Sequence, residues 1–273
     1  MSLAYVRRGD GPPLVLIHGV GSQWQMWEPV LDRLARERDV IALDLPGFGD
    51  SPPLRETPSV EALARAVSEL LAGLGIERPH AAGNSLGGGV ALEMGRHGHA
   101  RSVCVLSPAG FGTMREGSYA RRILTDSRRV AQRLEPYAEL VMAGPVRRTL
   151  TNFMLIGRPW RIPKDEAAGA MRNLARSPGF DATMEALREH RFGGHTYDIP
   201  VTIAWGERDR LLLYGRQSAR AKRLLPDARH VTLEGCGHVP TWDDPEQIAR
   251  VLLEASAEPA ATRSPPPPAR AAV

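Results

Sequence analysis

Residues 83–87 read Gly83-Asn84-Ser85-Leu86-Gly87 and follow the short run His80-Ala81-Ala82. A serine between small residues, where a strand gives way to a helix, can be lifted clear of its sheet. The backbone bends sharply there, so side chains two residues to either side must be nearly absent. A free hydroxyl is a poor nucleophile and needs a base, with an acid to orient that base. Two later runs offer them in the order serine, acid, base. Gly206-Glu207-Arg208-Asp209 carries carboxylates, and Gly235-Cys236-Gly237-His238 carries an imidazole. Such a set does acyl transfer. Ser85 attacks a carbonyl, His238 takes the proton and returns it to the leaving group, and Asp209 holds the imidazole in its working tautomer. Alone, the serine run equally fits a glycine-rich helix start with an N-capping serine. The acid and base that follow favour the nucleophile.

Attack on a carbonyl creates an oxyanion that needs preorganised N–H donors. Leu86, directly after the serine, can give one. Val20, after His18-Gly19 at the end of an apolar run, can give the other. His18 itself reads as structural. Of the eight histidines, only His238 falls in a glycine-flanked loop after the last apolar run. His97 and His99 end a helical pattern, His80 and His230 open strands, and His190 and His195 close a long middle segment. The turn from Asp44 to Ser51 reads as structural despite its acids, and Trp27 reads as core. No His/Cys cluster has metal-ligand spacing, and no phosphate-binding loop with lysine is present. No cofactor or metal is expected.

The chain of 273 residues, 42% apolar and 24% charged, can bury a large core. No apolar run approaches the roughly 20 residues that span a bilayer. The start, Met1 to Arg8, lacks the apolar stretch of a signal peptide. Cys104 and Cys236 form no disulfide framework, and Cys104 reads as a buried thiol. These features point to the cytoplasm and away from a membrane. Residues 111–195 hold fifteen Arg/Lys against nine Asp/Glu, but the excess is dispersed and has no aromatic stacking platform. Nucleic acid is therefore a poor partner; a small-molecule substrate is expected, with the oligomeric state open.

Short β-rich runs at 3–7, 14–18, 39–43, 79–83, 102–106, 200–205 and 229–233 alternate with helical patterns at 25–37, 59–74, 86–97, 215–225 and 245–255. This alternation predicts an α/β fold: a mostly parallel sheet of seven strands flanked by helices. Ser59 reads as an N-cap, and Pro245 falls in a first helical turn, where its missing N–H costs little. Between Gly110 and Asp198 the alternation stops. Helical patterns at 115–134, 136–150, 164–176 and 180–190 are broken by Gly144-Pro145 and Ser177-Pro178-Gly179. From 257 to 273 Ala, Pro and Arg dominate, and a disordered tail is expected.

Leu14-Val15-Leu16-Ile17-His18-Gly19, the Asp44-Leu45-Pro46-Gly47-Phe48-Gly49-Asp50-Ser51 turn, the serine run and the Asp209 and His238 segments together resemble the α/β-hydrolase fold with a cap domain. The resemblance runs from about Leu3 to Glu254. It implies a core of residues 1–110 and 198–256, a helical cap over 111–197, and loss of the first strand of the full pattern. It selects Asp209 over Glu207, since the family's acid occupies the fourth place of that turn. It implies a serine hydrolase of a small ester or related acyl substrate. Carbon–carbon bond hydrolysis of ring-cleavage products is the nearest alternative, and Asn84 is reminiscent of that group. A non-catalytic ligand-binding protein on the same fold is an alternative of another class.

Overall fold

The computed structural model describes residues 2–257, so the expected tail beyond Ala257 lies outside the described residues. Seven strands form one sheet: β1 (Tyr5–Arg8), β2 (Pro13–Ile17), β3 (Asp39–Leu43), β4 (His80–Asn84), β5 (Ser102–Leu106), β6 (Val201–Gly206) and β7 (Arg229–Leu233). Their order is β1-β3-β2-β4-β5-β6-β7. Only β1 runs antiparallel to its neighbour. The expected mostly parallel, seven-stranded sheet is what forms.

The central strands are buried on both faces, as their unbroken apolar runs require. Side chains alternate between two cores. Val15, Ile17, Ile41 and Leu43 face α2 (Val60–Gly73) and α3 (Leu86–Arg96). Leu14, Leu16, Val40 and Ala42 face α1 (Glu28–Leu34) and α10 (Pro245–Ala255). Trp27 is fully buried in the second core. The edge strands β1 and β7 alternate between covered and exposed residues.

Between β5 and β6 the chain makes α4 (Met114–Leu134), α5 (Ala138–Met142), α6 (Pro145–Asn152), α7 (Lys164–Arg176) and α8 (Phe180–Ala186). They have a small core of their own around Met142, Ile156, Ile162 and Met171. Helix α9 (Tyr214–Leu224) follows β6. Among the described residues no helix is long and apolar enough to cross a membrane.

Helix ends follow local chemistry. Ser59 Oγ accepts from the Ala62 N–H at 3.0 Å, as expected of an N-cap. Pro245 does open α10, behind an Asp244 cap that accepts from the Gln247 N–H at 3.0 Å. Three expected helices are shorter than the pattern suggested. The one at 25–37 begins as a 3-10 turn (Trp24–Trp27) and continues as α1, because Pro29 has no N–H to donate to residue 25. The one at 136–150 splits into α5 and α6, since Pro145 must start a helix. The one at 180–190 stops at Ala186, and residues 188–198 form no helix.

Candidate active site

The sheet order reverses direction between β2 and β4, which lie parallel with Ile17 opposite Gly83. Loops leaving the carboxyl ends of two such strands enter one crevice. Ser85 leaves β4 and the His18-Gly19-Val20 turn leaves β2, so the two meet. A Cβ added at Gly19 would lie 3.0 Å from Ser85 Cβ.

Ser85 has φ 55° and ψ −117°, a conformation costing on the order of 1–3 kcal/mol in a residue with a side chain. Its surroundings over-determine it. Its N–H donates to the Leu106 carbonyl at 3.0 Å, and its carbonyl accepts from the N–H groups of Gly88 (3.0 Å) and Ala109 (2.9 Å). The bend leaves no room beside it. A Cβ at Gly83 would sit 2.0 Å from the Gly87 carbonyl oxygen, and one at Gly87 2.1 Å from that of Ile17. Leu86 opens α3, so its N–H has no partner inside the helix and is free to donate outward.

Asp209 and His238 are brought together. The Asp209 Oδ2 atom accepts from His238 Nδ1 at 2.8 Å, with both side chains almost fully buried. The other carboxylate oxygen accepts from the N–H groups of Leu211 (2.9 Å) and Leu212 (2.8 Å), which fixes its aim. Glu207 instead accepts from the Gly235 N–H at 2.9 Å, away from the imidazole. Ser107, at φ 45°, places its Oγ to accept from the Gly206 N–H at 3.3 Å, and the Gly206 carbonyl then accepts from the Asp209 N–H at 3.0 Å. The end of β5 thereby holds the start of the acid's turn.

Two further residues support this arrangement. Asn84 Nδ2 donates to the carbonyls of Leu106 (2.9 Å) and His238 (2.8 Å), tying the histidine loop to the residue before Ser85. Asp243 is fully buried, and its carboxylate accepts from the backbone N–H groups of Gly157 (2.9 Å), Arg158 and Gly237 (2.7 Å). It joins the inserted segment to the residue before His238. The Val239 N–H adds a bond to the Leu155 carbonyl at 2.8 Å. Asn84 stood out in the sequence only for its likeness to the carbon–carbon hydrolase group, not for this bracing role.

Burial sets the protonation of the remaining groups. His18 is pushed down to about 4 by desolvation. As a neutral ring it donates from Nδ1 to the Gly19 carbonyl at 2.7 Å and accepts the Leu45 N–H at Nε2 at 2.8 Å. It is the structural histidine expected. Burial pushes the Cys104 and Cys236 thiols up to about 12, so neither is a thiolate at neutral pH. The Asp44 carboxylate is spent on its own turn, accepting from Trp24 (2.7 Å) and Asp50 (3.0 Å) N–H groups. Among the described residues no group of three or more His, Cys, Asp or Glu could hold a metal ion.

A cavity of about 630 Å³ opens above Ser85 and Val20, between the sheet's carboxyl edge and the inserted helices. Leu124, Met184, Leu187 and Leu212 give it apolar walls. That volume suits a small organic substrate.

A strained serine at a strand-to-helix bend and a sealed acid–imidazole pair on a mostly parallel sheet define a hydrolase-type fold. The chain belongs to the alpha/beta hydrolase family, whose family model matches residues 14–251. A Pseudomonas putida protein described as the dihydrolipoyllysine-residue acetyltransferase component of an acetoin cleaving system is 32% identical over 247 residues. The match covers 89% of this chain and 63% of that relative, so the chain spans less than two-thirds of its length. A protein of Escherichia coli strain 042 described as "Putative carbamate hydrolase RutD" is 30% identical over 264 residues, 93% of each chain. Among solved structures, a thermophilic esterase from Thermogutta terrifontis aligns with a TM-score of 0.71 at 23% identity, over 92% of each chain. A 2-hydroxy-6-oxo-6-phenylhexa-2,4-dienoate hydrolase from Rhodococcus sp. strain RHA1 aligns at 0.70 and 20% identity, over 93% of this chain and 99% of that one. These two likenesses are of fold.

Proposed function

We propose that the protein is a serine hydrolase acting on a small ester or related acyl substrate, with residues 111–197 as a cap over the core formed by 1–110 and 198–256. The observation that carries this is the buried Asp209–His238 pair, with the His238 carbonyl held by Asn84, the residue before a strained Ser85. Ser85 Oγ adds to the carbonyl carbon while its proton passes to His238 Nε2. Asp209 stabilises the resulting imidazolium through Nδ1–H. The N–H groups of Leu86 and Val20 receive the oxyanion. Collapse of the adduct expels the leaving group, which takes the proton from His238. Water then attacks the acyl-enzyme by the same route, releasing the acid and restoring Ser85.

The carbamate hydrolase relative favours a second reading of the acyl group, because a carbamate carbonyl goes through the same addition and collapse. Carbon–carbon cleavage has only the fold likeness in its favour. A panel of p-nitrophenyl esters, an alkyl carbamate and a ring-cleavage dienone, run with wild type and Ser85→Ala, tests the reading. Turnover of an ester or carbamate should fall by several orders of magnitude in the variant. Undiminished turnover in Ser85→Ala would overturn it.

A further inference from the structure

The wall of the cavity away from Ser85 carries polar groups whose hydrogen bonds are not all taken up within the protein. Gln217 on α9 is 1% exposed, lines the cavity, and has neither its amide oxygen nor its nitrogen hydrogen-bonded. Burying such an amide without partners is destabilising, because its bonds to water are lost and not replaced. In a cavity wall, such a group is placed to be completed by whatever enters the cavity.

Five arginines also line the cavity, and their pairing separates them. Arg121 and Arg188 reach Glu185 at 2.9 and 3.3 Å. Arg122 and Arg129 reach Asp126 at 3.7 and 3.1 Å. Among the described residues Arg191 has no carboxylate partner. Its guanidinium donates to the His190 carbonyl at 2.6 Å and lies 2.9 Å from the Met114 sulfur.

Arg191 and Gln217 face the same short stretch of chain, residues 112–117, which leads into α4 and forms its start. A Cβ at Gly117 would lie 3.3 Å from Arg191 Nη2, and one at Gly112 3.3 Å from either end of the Gln217 amide. The nearby acid, Glu116, is already engaged. It accepts from the Thr113 N–H at 2.8 Å and pairs with Arg220, one turn along α9 from Gln217. Among the described residues no carboxylate is left to neutralise Arg191 there.

We infer that Arg191 and Gln217 form a subsite for a carboxylate at the far end of the acyl chain, making the preferred substrate a monoester of a short dicarboxylic acid. This rests on the serine-hydrolase reading for the reaction, but not for the binding. The guanidinium takes the carboxylate through its N–H fork. Gln217 Nε2–H donates to the same group, and Oε1 is left to accept from a hydroxyl or N–H on the neighbouring carbon. The acyl chain crosses the apolar walls between the subsite and Ser85.

The test compares mono-p-nitrophenyl glutarate with p-nitrophenyl valerate, which have the same chain length and differ in terminal charge. Wild type should favour the glutarate ester by tenfold or more in kcat/KM. Arg191→Gln should erase that preference while hydrolysing the valerate ester within twofold of wild type. That neutral rate also reports that the variant is folded. No preference in wild type, or a preference that survives in Arg191→Gln, overturns the inference. Calorimetric titration with free glutarate separates the subsite from the chemistry. If wild type hydrolyses neither ester, the kinetic arm reads nothing and binding alone decides. The subsite then stands if glutarate binds wild type and binds Arg191→Gln and Gln217→Leu at least tenfold more weakly. Equal binding to all three proteins, or none to wild type, overturns it.

Discussion

Asp243→Ala is expected to be among the most damaging single changes outside the proposed triad. The carboxylate is fully buried and takes three backbone N–H groups, from Gly157, Arg158 and Gly237. Each buried donor left without a partner costs about 1–3 kcal/mol. Water entering the space left by the carboxylate would recover part of that, leaving a loss of about 3–5 kcal/mol. A domain of this size loses about 2–4 °C of Tm per kcal/mol, so the melting temperature should drop on the order of 10 °C. Activity should suffer beyond the loss of stability, measured well below the variant's Tm. Gly237 precedes His238, and a loosened loop misplaces the imidazole, so kcat should fall more than KM rises. Asp243→Asn keeps the shape and one acceptor and should lie between the two. Thermal unfolding with kcat and KM on one ester is the assay. An Asp243→Ala protein melting within about 2 °C of wild type with unchanged kcat would refute the reasoning that this carboxylate braces the histidine loop.

His18 makes stability depend on pH. Its folded value of about 4 lies below the usual 6.5, so the unfolded chain binds the proton more readily between those values. The contribution is complete above pH 6.5 and is lost as pH falls toward 4, on the order of 3 kcal/mol in all. Denaturant midpoints at pH 7 and 4.5 should therefore separate more in wild type than in His18→Gln; equal separations would contradict this. Asn84→Ala should lower kcat on the order of tenfold with little change in KM, since it frees the His238 carbonyl without touching the cavity. A change confined to KM would count against a positioning role. Both cysteines, sealed and held as thiols, should resist a thiol-exchange reagent in the native protein and react on unfolding. Fast native labelling of Cys236 would show that its loop opens.

What could be read from sequence was what local chemistry dictates. Glycines at 83 and 87 are required where a Cβ would strike a carbonyl oxygen, so the bend at Ser85 is written in the run itself. Apolar runs such as Leu14 to Ile17 declare strands covered on both faces. Single prolines then decided details that a periodic pattern misses, as at Pro29 and Pro145. The supporting residues were illegible for a different reason. Asn84 acts on residue 238, Asp243 on residue 157, and Arg191 lies against Met114, pairs between about 77 and 154 positions apart. Nothing in the sequence near Gln217 marks its amide as unpaired, because that depends on what the fold brings, or fails to bring, to it.

The central claim is that Ser85 is a nucleophile made reactive by His238 and Asp209. The most direct measurement is covalent: incubation with a serine-directed fluorophosphonate, followed by mass mapping of the adduct. The account predicts one adduct per chain, on Ser85, with labelling strongly slowed in His238→Ala. Modification elsewhere, or labelling of Ser85 at an undiminished rate without His238, would contradict it.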